Sequence, residues 1–167
     1  MKTREYKTYK FDELSEEAKE KALEQFWSIN VDGEWWESTY EDAKTVGLKI
    51  EKFDLDYNKI KGGFTEDACF TAHRIIDNHG ESCETYQTAK KFLSERDAIV
   101  EKFSQHGHRP EDMDEELDEL ENDFKYSILE DYRILLQKDY SYLTGREAVE
   151  ETIIANDYDF LEDGTRD

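Results

Sequence analysis

The chain has little of what flexible linkers or membrane spans require. A single proline (Pro110) and eight glycines in 167 residues leave little material for linkers. No stretch approaches the roughly 18–20 apolar residues that a membrane-spanning helix needs. The first ten residues, MKTREYKTYK, have no apolar run after their charges and so do not resemble a secretory signal. We therefore expect one folded domain over residues 1–167, located in a cytoplasm.

Positive charge is also scarce, because 22 Lys and Arg residues face 43 Asp and Glu residues and leave a net charge of −21. An anionic protein is repelled by nucleic acid and by acidic lipid surfaces, so we expect neither direct nucleic-acid binding nor membrane binding. Aromatic residues, in contrast, make up 13% of the chain, and acidic disordered chains are poor in aromatics. The composition therefore predicts a folded protein whose natural partner is a basic surface.

Apolar residues recur at three- and four-residue spacing over most of the chain, which indicates helices. Helices are predicted to begin at Ser15, near Glu34, near Glu66, at Ser82 and near Asp112, with a last helix from a capping box at Thr144 through Ala155. Strands are predicted at Arg4–Phe11, Leu48–Tyr57, Lys59–Phe64 and Tyr158–Leu161. The predicted fold class is α+β: a predominantly helical single domain with a small antiparallel sheet and one long acidic helix, from about Asp112 to Leu143.

The most strongly charged segment lies in this long helix and reads EDMDEELDELEND, in which nine of 13 residues are acidic and none is basic. Carboxylates four residues apart on a helix repel each other by roughly 0.2–0.5 kcal/mol per pair, and a basic partner would relieve that repulsion. Nine charges over roughly 18 Å of helix approach the linear charge density of duplex DNA, about one charge per 1.7 Å. We therefore predict a DNA-mimicking partner-binding surface, although an acidic face that only maintains solubility is the alternative. The predicted surface comprises Glu111, Asp112, Asp114, Glu115, Glu116, Asp118, Glu119, Glu121 and Asp123.

The two cysteines and two of the four histidines form a second cluster, with the pattern C-x3-H-x5-H-x3-C. Without a secretory signal, reduced thiols are favoured over a disulfide, and thiolate and imidazole are preferred ligands of structural zinc. Its first and third members lie ten residues apart, about 15 Å along an intact helix, so all four meet only if the helix breaks. A more compact set replaces Cys69 with Asp77, and His106 or His108 is a further source of a ligand. The predicted structural zinc ligands are Cys69, His73, Asp77, His79 and Cys83.

The alternative for this cluster is that Cys69 is a small core residue and His79 is part of a helix stop. Sequence motifs of catalysis are lacking: there is no phosphate-cradling glycine loop, no GxSxG elbow and no recognisable nucleophilic cysteine motif. The run DLDYNKIKGGF has oxygen side chains at alternate positions, but it lacks the sixth-position glycine and the twelfth-position glutamate of a calcium loop. We therefore expect a binding protein, not an enzyme, and no catalytic residues.

Four runs of the chain carry a resemblance to a known family: YKFDELSEEAKEKALEQF, INVDGEWWESTYEDAKTVGLKIEKFDLD, HGESCETYQTAKKFL and LEDYRILLQKDYSYLTGREAVEETI. Over nearly the full chain, the sequence resembles small acidic proteins encoded by phages and mobile elements of bacteria. Small acidic proteins of this origin include anti-CRISPR inhibitors of RNA-guided nucleases, type II among them. The resemblance implies a protein of the bacterial host cytoplasm, and it includes the HGESC run of the cysteine–histidine cluster.

Together, charge and resemblance predict an anti-defence inhibitor of the anti-CRISPR kind. Such a protein would bind a basic nucleic-acid-binding surface of a CRISPR effector nuclease and block DNA loading, because these nucleases hold guide and target in positively charged channels. The alternative is an antitoxin-like or structural interaction protein that binds another basic host factor.

Overall fold

The computed structural model describes residues 7–105 and 107–167, and its internal contacts divide the chain into two compact units. Unit 1 consists of Met1–Trp35 and Lys138–Asp167, and unit 2 of Trp36–Gln137. In chain order the elements are a short 3-10 helix at Phe11–Glu13, α1 (Glu16–Phe26), α2 (Glu37–Thr45), β1 (Leu48–Asp54), β2 (Lys59–Phe64), α3 (Ala68–Asn78), α4 (Glu84–Phe103), α5 (Pro110–Leu143) and α6 (Arg146–Ala155). The predicted fold class is confirmed: the chain is mostly helical, with a two-stranded antiparallel sheet and one long acidic helix. Two units defined by contacts can belong to one folding domain, so the single domain over residues 1–167 stays a prediction.

Unit 1 is organised around α1, whose start the sequence encodes locally. The hydroxyl oxygen of Ser15 accepts a hydrogen bond from the Ala18 amide at 3.2 Å, which caps the helix as predicted. The buried side of α1 belongs to an apolar cluster that also includes Val149 and Ile153 of α6 and the fully buried Phe160. Gly164 has a φ of 84° and no room for a Cβ, which would lie 2.0 Å from the Ala18 carbonyl oxygen, so the C-terminal turn can approach α1 closely.

Two of the predicted strands are reduced to isolated bridges in unit 1. Residues 4–6 of the predicted Arg4–Phe11 strand lie outside the described residues, and in the remainder only Tyr9 pairs, with Phe160. The predicted strand at Tyr158–Leu161 likewise pairs only through Phe160, which bridges Tyr9 and Arg166. The predicted capping box at the start of α6 is wrong. Gly145 occupies the N-cap position, and the Thr144 hydroxyl instead donates to the Tyr140 carbonyl at 2.8 Å.

Unit 2 contains α2, the β-hairpin, α3, α4 and most of α5. Glycine is favoured just after a helix, so the sequence predicts that the second helix stops at Gly47. The structure agrees, because Gly47 has a φ of 90°, ends the α2 segment and leads into β1. The hairpin pairs from Leu48↔Phe64 to Asp54↔Lys59, with an irregularity between Ile50 and Lys52. The glycine pair Gly62–Gly63 of β2 predicts either a weakened strand or a bulge, and the irregularity that the structure has lies on the opposite strand.

The core of unit 2 is built on the second half of α5. Ile128 and Tyr132 are fully buried there, together with Val46 and Leu48 around the start of β1 and Ile75 of α3. α4 begins one residue later than predicted, because Cys83 and not Ser82 is its N-cap residue. Within the described residues, none of the helices combines the length and apolar character needed to cross a bilayer.

Candidate partner-binding surface

Six of the nine predicted carboxylates are exposed on one side of α5, and we call them the acidic face: Glu111, Asp114, Glu115, Asp118, Glu119 and Asp123. At 3.6 residues per turn they fall within an arc of about 180°. The centre of that arc is opposite the apolar stripe that begins at Met113 and ends at the buried Phe124. Among the residues that the structure describes, no cation forms an ion pair with any of the six. The acidic face is therefore a coherent negative surface, not a set of scattered charges.

The apolar stripe fixes this part of α5 to the core of unit 2. The Phe124 ring stacks on Phe92 with centroids 4.3 Å apart and on Phe64 with centroids 5.4 Å apart. Leu120, one turn earlier, packs against the same core. A helix anchored by one side holds its other side in place, so the carboxylates of the acidic face keep their spacing without contacts of their own.

The other three predicted carboxylates are half-buried, and two of them have partners. Asp112 accepts two hydrogen bonds from Arg109, at 2.7 and 3.1 Å, and Glu116 accepts one from the Lys102 ammonium at 2.6 Å. Burial, and then the charges of Asp67 and Asp118, raise the pKa of Glu121. Glu116 and Glu121 lie at the two edges of the acidic face, and burial is the first cause of the raised pKa of Glu121.

The structure does not gather the five predicted zinc ligands. Cys69 is half-buried on α3, whereas His73 and Asp77 are exposed on the same helix and Cys83 is exposed at the start of α4. Within residues 7–105 and 107–167, no three His, Cys, Asp or Glu side chains lie close enough together to hold a metal ion. His106 lies outside the described residues. Structural zinc therefore stays a prediction, without a ligand cluster to support it.

His79 instead belongs to a polar network that sequence reasoning missed. Its Nδ1 lies 2.7 Å from the hydroxyl of the buried Thr85, and its Nε2 lies 3.3 Å from Oδ2 of Asp42. The second contact has ion-pair distance but not the alignment of a hydrogen bond, so we treat it as electrostatic. The same Oδ2 accepts a hydrogen bond from the Tyr132 hydroxyl at 2.7 Å. The His79 imidazole, and then Tyr132, hold the pKa of Asp42 below its ordinary value, although burial opposes them.

Thr85, His79 and Asp42 follow the hydroxyl–imidazole–carboxylate order of hydrolase triads. A nucleophile must reach its substrate, and Thr85 is only 2% exposed. The arrangement is therefore best explained as a tie between α2, the end of α3 and the start of α4, completed by Tyr132 of α5. The absence of enzymatic activity stays a prediction.

Comparison of the chain with protein-family models, with curated proteins and with solved structures gives no match. The resemblance to phage and mobile-element proteins therefore stays a prediction. An argument about function depends instead on the geometry and charge of α5.

Proposed function

We propose that the protein is an anti-defence inhibitor of the anti-CRISPR kind. The acidic face of α5 binds the basic nucleic-acid-binding surface of an RNA-guided nuclease and blocks DNA loading. The observation that carries this proposal is the set of six exposed carboxylates on one side of an anchored helix, none of which has an ion pair within the described residues.

Unpaired carboxylates on a fixed helix are suited to a surface that normally binds phosphates. From Glu111 to Asp123 the helix rises roughly 18 Å, so the six charges recur about every 3–4 Å along the axis. One strand of DNA presents its phosphates about 3.4 Å apart along the axis. Lysines and arginines spaced for a nucleic-acid strand would therefore find carboxylates at similar intervals. The chain's net charge of −21 would steer it toward such a surface.

The proposal is tested by measuring DNA cleavage by a type II RNA-guided nuclease, with the protein added before or after the target DNA. We expect inhibition only when the protein is added first, because DNA and the acidic face compete for one channel. Inhibition should weaken as salt rises, since charge-driven binding is screened. Inhibition that ignores salt, or that is equally strong after DNA loading, would contradict the proposal.

The matched variants neutralise four carboxylates each. Asp114→Asn, Glu115→Gln, Asp118→Asn and Glu119→Gln together remove most of the acidic face and should weaken inhibition by about tenfold or more, equivalent to 1.4 kcal/mol of binding free energy. The control variant changes net charge equally at other exposed positions: Glu24→Gln, Asp32→Asn, Glu151→Gln and Asp167→Asn. Equal loss in both variants would mean that total charge, and not this face, drives binding. Capture of a basic host protein other than a nuclease would favour the interaction-protein alternative.

A further inference from the structure

The chain contains two Asp–Gly dipeptides, and the structure holds them very differently. Asp32–Gly33 lies in the loop after α1, and Asp163–Gly164 lies in the C-terminal turn; both belong to unit 1. Aspartate followed by glycine is the pair in which the main chain most readily reacts with its own side chain, because glycine has no Cβ to shield its amide nitrogen. The two sites can therefore be compared within one chain.

The reaction is an intramolecular ring closure followed by hydrolysis. The glycine amide nitrogen attacks Cγ of the preceding aspartic acid, a C–N bond forms, and the carboxyl hydroxyl leaves with the amide proton as water. Water then opens the succinimide ring at either carbonyl carbon. One opening restores aspartate. The other gives isoaspartate, in which the main chain runs through Cβ and Cγ and the former main-chain carbonyl becomes the free carboxylate.

Asp163–Gly164 is protected at both reacting groups. The Asp163 carboxylate has an ion pair with the Lys21 ammonium at 2.5 Å and accepts a hydrogen bond from the Thr165 amide at 2.9 Å. Lys21, and then Thr165, hold the pKa of Asp163 well below its ordinary value, and an ionised carboxylate is the form that loses an oxygen least readily. The Gly164 amide donates to the Leu161 carbonyl at 2.9 Å. Ring closure here requires that these contacts break first.

The backbone of this turn is also fixed by packing. The Leu161 amide donates to the Thr165 carbonyl at 2.8 Å, which closes the turn around Gly164. Gly164 has a φ of 84° and lies directly against the Ala18 carbonyl of α1. Rotating the backbone to bring its nitrogen onto the aspartate side chain would disrupt this close contact.

Asp32–Gly33 has none of this protection. Both residues are exposed, and among the residues that the structure describes neither has a hydrogen bond or an ion pair. A Cβ built on Gly33 would meet no atom within 4 Å. The carboxyl group, the amide nitrogen and the water needed for hydrolysis can therefore meet without breaking any contact.

The chain is held on both sides of this dipeptide. The Val31 amide donates to the Ser28 carbonyl at 2.8 Å, and the Trp35 ring packs on Tyr140 with centroids 5.5 Å apart. The freedom is therefore confined to the two residues that react. Isoaspartate would add one atom to the main chain between Val31 and Trp35.

We propose that Asp32–Gly33 is a site of spontaneous isoaspartate formation in the folded protein and that Asp163–Gly164 is not. The modified loop is then a substrate for isoaspartate methyltransferases, a class of enzyme that transfers a methyl group from S-adenosylmethionine to the new carboxylate and releases S-adenosylhomocysteine. The proposal does not depend on nuclease inhibition.

Incubation of the full chain at pH 7 and 37 °C for several weeks, followed by digestion with trypsin, tests this inference. The two sites fall in different peptides, Ala22–Lys44 and Glu147–Arg166. Isoaspartate leaves the peptide mass unchanged, so it is measured by chromatographic separation and by methyl transfer from labelled S-adenosylmethionine. We expect formation at residue 32 to be at least about tenfold faster than at residue 163, which must open locally first. Equal or faster formation at residue 163, or none at residue 32, would overturn the proposal.

The same incubation in guanidinium chloride separates the effect of the fold from that of the local sequence. Neither dipeptide is protected in the unfolded chain, so the two rates should become similar. A difference that persists in denaturant would show that neighbouring residues in the sequence cause it, and would refute the structural explanation.

Two matched variants keep the charge of the loop. Gly33→Ala adds a methyl group in open space at an ordinary φ, so it should slow isoaspartate formation at residue 32 about tenfold or more and leave the circular dichroism spectrum unchanged. Asp32→Glu keeps a carboxylate but requires a six-membered ring, and should slow it as well. Methyl transfer that is unchanged in both variants would place the modification elsewhere and refute the assignment.

A third variant tests the protected site. Lys21→Gln removes the ion pair of Asp163 and should raise isoaspartate formation at that residue without changing the rate at residue 32. An unchanged rate at Asp163 would mean that the ion pair does not protect it. Asp32→Asn, which is part of the control variant for the acidic face, closes the same ring with loss of ammonia, so that variant is assayed freshly purified.

Discussion

The two halves of α5 differ in what holds them and in what they leave exposed. From Pro110 to Asp123 no side chain is fully buried, and the outward side carries the acidic face. From Phe124 onward the same helix buries five side chains: Phe124, Ile128, Leu129, Tyr132 and Leu136. One continuous helix therefore has two parts with different roles. The second half supplies stability, and the first half therefore tolerates like charges that would destabilise an isolated helix.

The largest change in the free energy of unfolding is expected when a buried side chain of the second half of α5 is truncated, and a matching truncation in the first half serves for comparison. Ile128→Ala removes a fully buried side chain and should lower the free energy of unfolding by about 2–5 kcal/mol. Met113→Ala, in the half-buried stripe of the first half, should cost below about 1 kcal/mol. Urea unfolding followed by circular dichroism measures both. Equal losses would show that the first half contributes to stability as much as the second.

A smaller loss of stability is expected when the Tyr132 hydroxyl is removed from the second half of α5. Tyr132→Phe removes the hydroxyl that donates to Asp42 and should cost about 1–2 kcal/mol at pH 7. Tyr126→Phe, whose ring is 61% exposed, is the control and should change stability by less than about 0.5 kcal/mol.

The cost of Tyr132→Phe should also depend on pH. The pKa of Asp42 is lowered in the folded state, first by His79 and then by Tyr132, so the stability from this carboxylate is present above its unfolded pKa of 3.8. It is lost as pH falls through the lower, folded pKa. The difference between wild type and Tyr132→Phe should therefore be constant near neutrality and shrink below about pH 4. A difference that grows in acid would mean that the hydroxyl does not act through the Asp42 carboxylate.

Sequence reasoning succeeded where the physical cause is local. The Ser15 cap, the Gly47 stop and the long helix to Leu143 each depend on neighbours within a few residues, and the structure confirms them. The Asp42–His79–Thr85–Tyr132 network was missed because Asp42 and Tyr132 are 90 residues apart and no spacing rule joins them.

The same limit applies to the predicted carboxylates of α5. Periodicity predicted which carboxylates of α5 share a helix, and the Arg109–Asp112 pair is local at three-residue spacing, but the Lys102–Glu116 pair joins α4 to α5 and depends on tertiary packing. Tertiary contacts, not propensity, decide which charges remain available to a partner.

The smallest expected change in stability tests directly whether the first half of α5 carries unfavourable like-charge repulsion. Neutralising Asp114, Glu115, Asp118 and Glu119 removes four like-charge pairs at four-residue spacing, so stability at low salt should rise, by about 1 kcal/mol. High salt should erase the gain, since the repulsion is screened. The control variant at Glu24, Asp32, Glu151 and Asp167 removes only two such pairs, Glu20–Glu24 and Glu147–Glu151, and should gain less in urea unfolding. If the acidic-face variant is instead destabilised, these carboxylates stabilise the helix and are not free for a partner. If the variant is stabilised and inhibition is lost, the wild-type chain carries the repulsion at a cost in stability because the same carboxylates bind the partner.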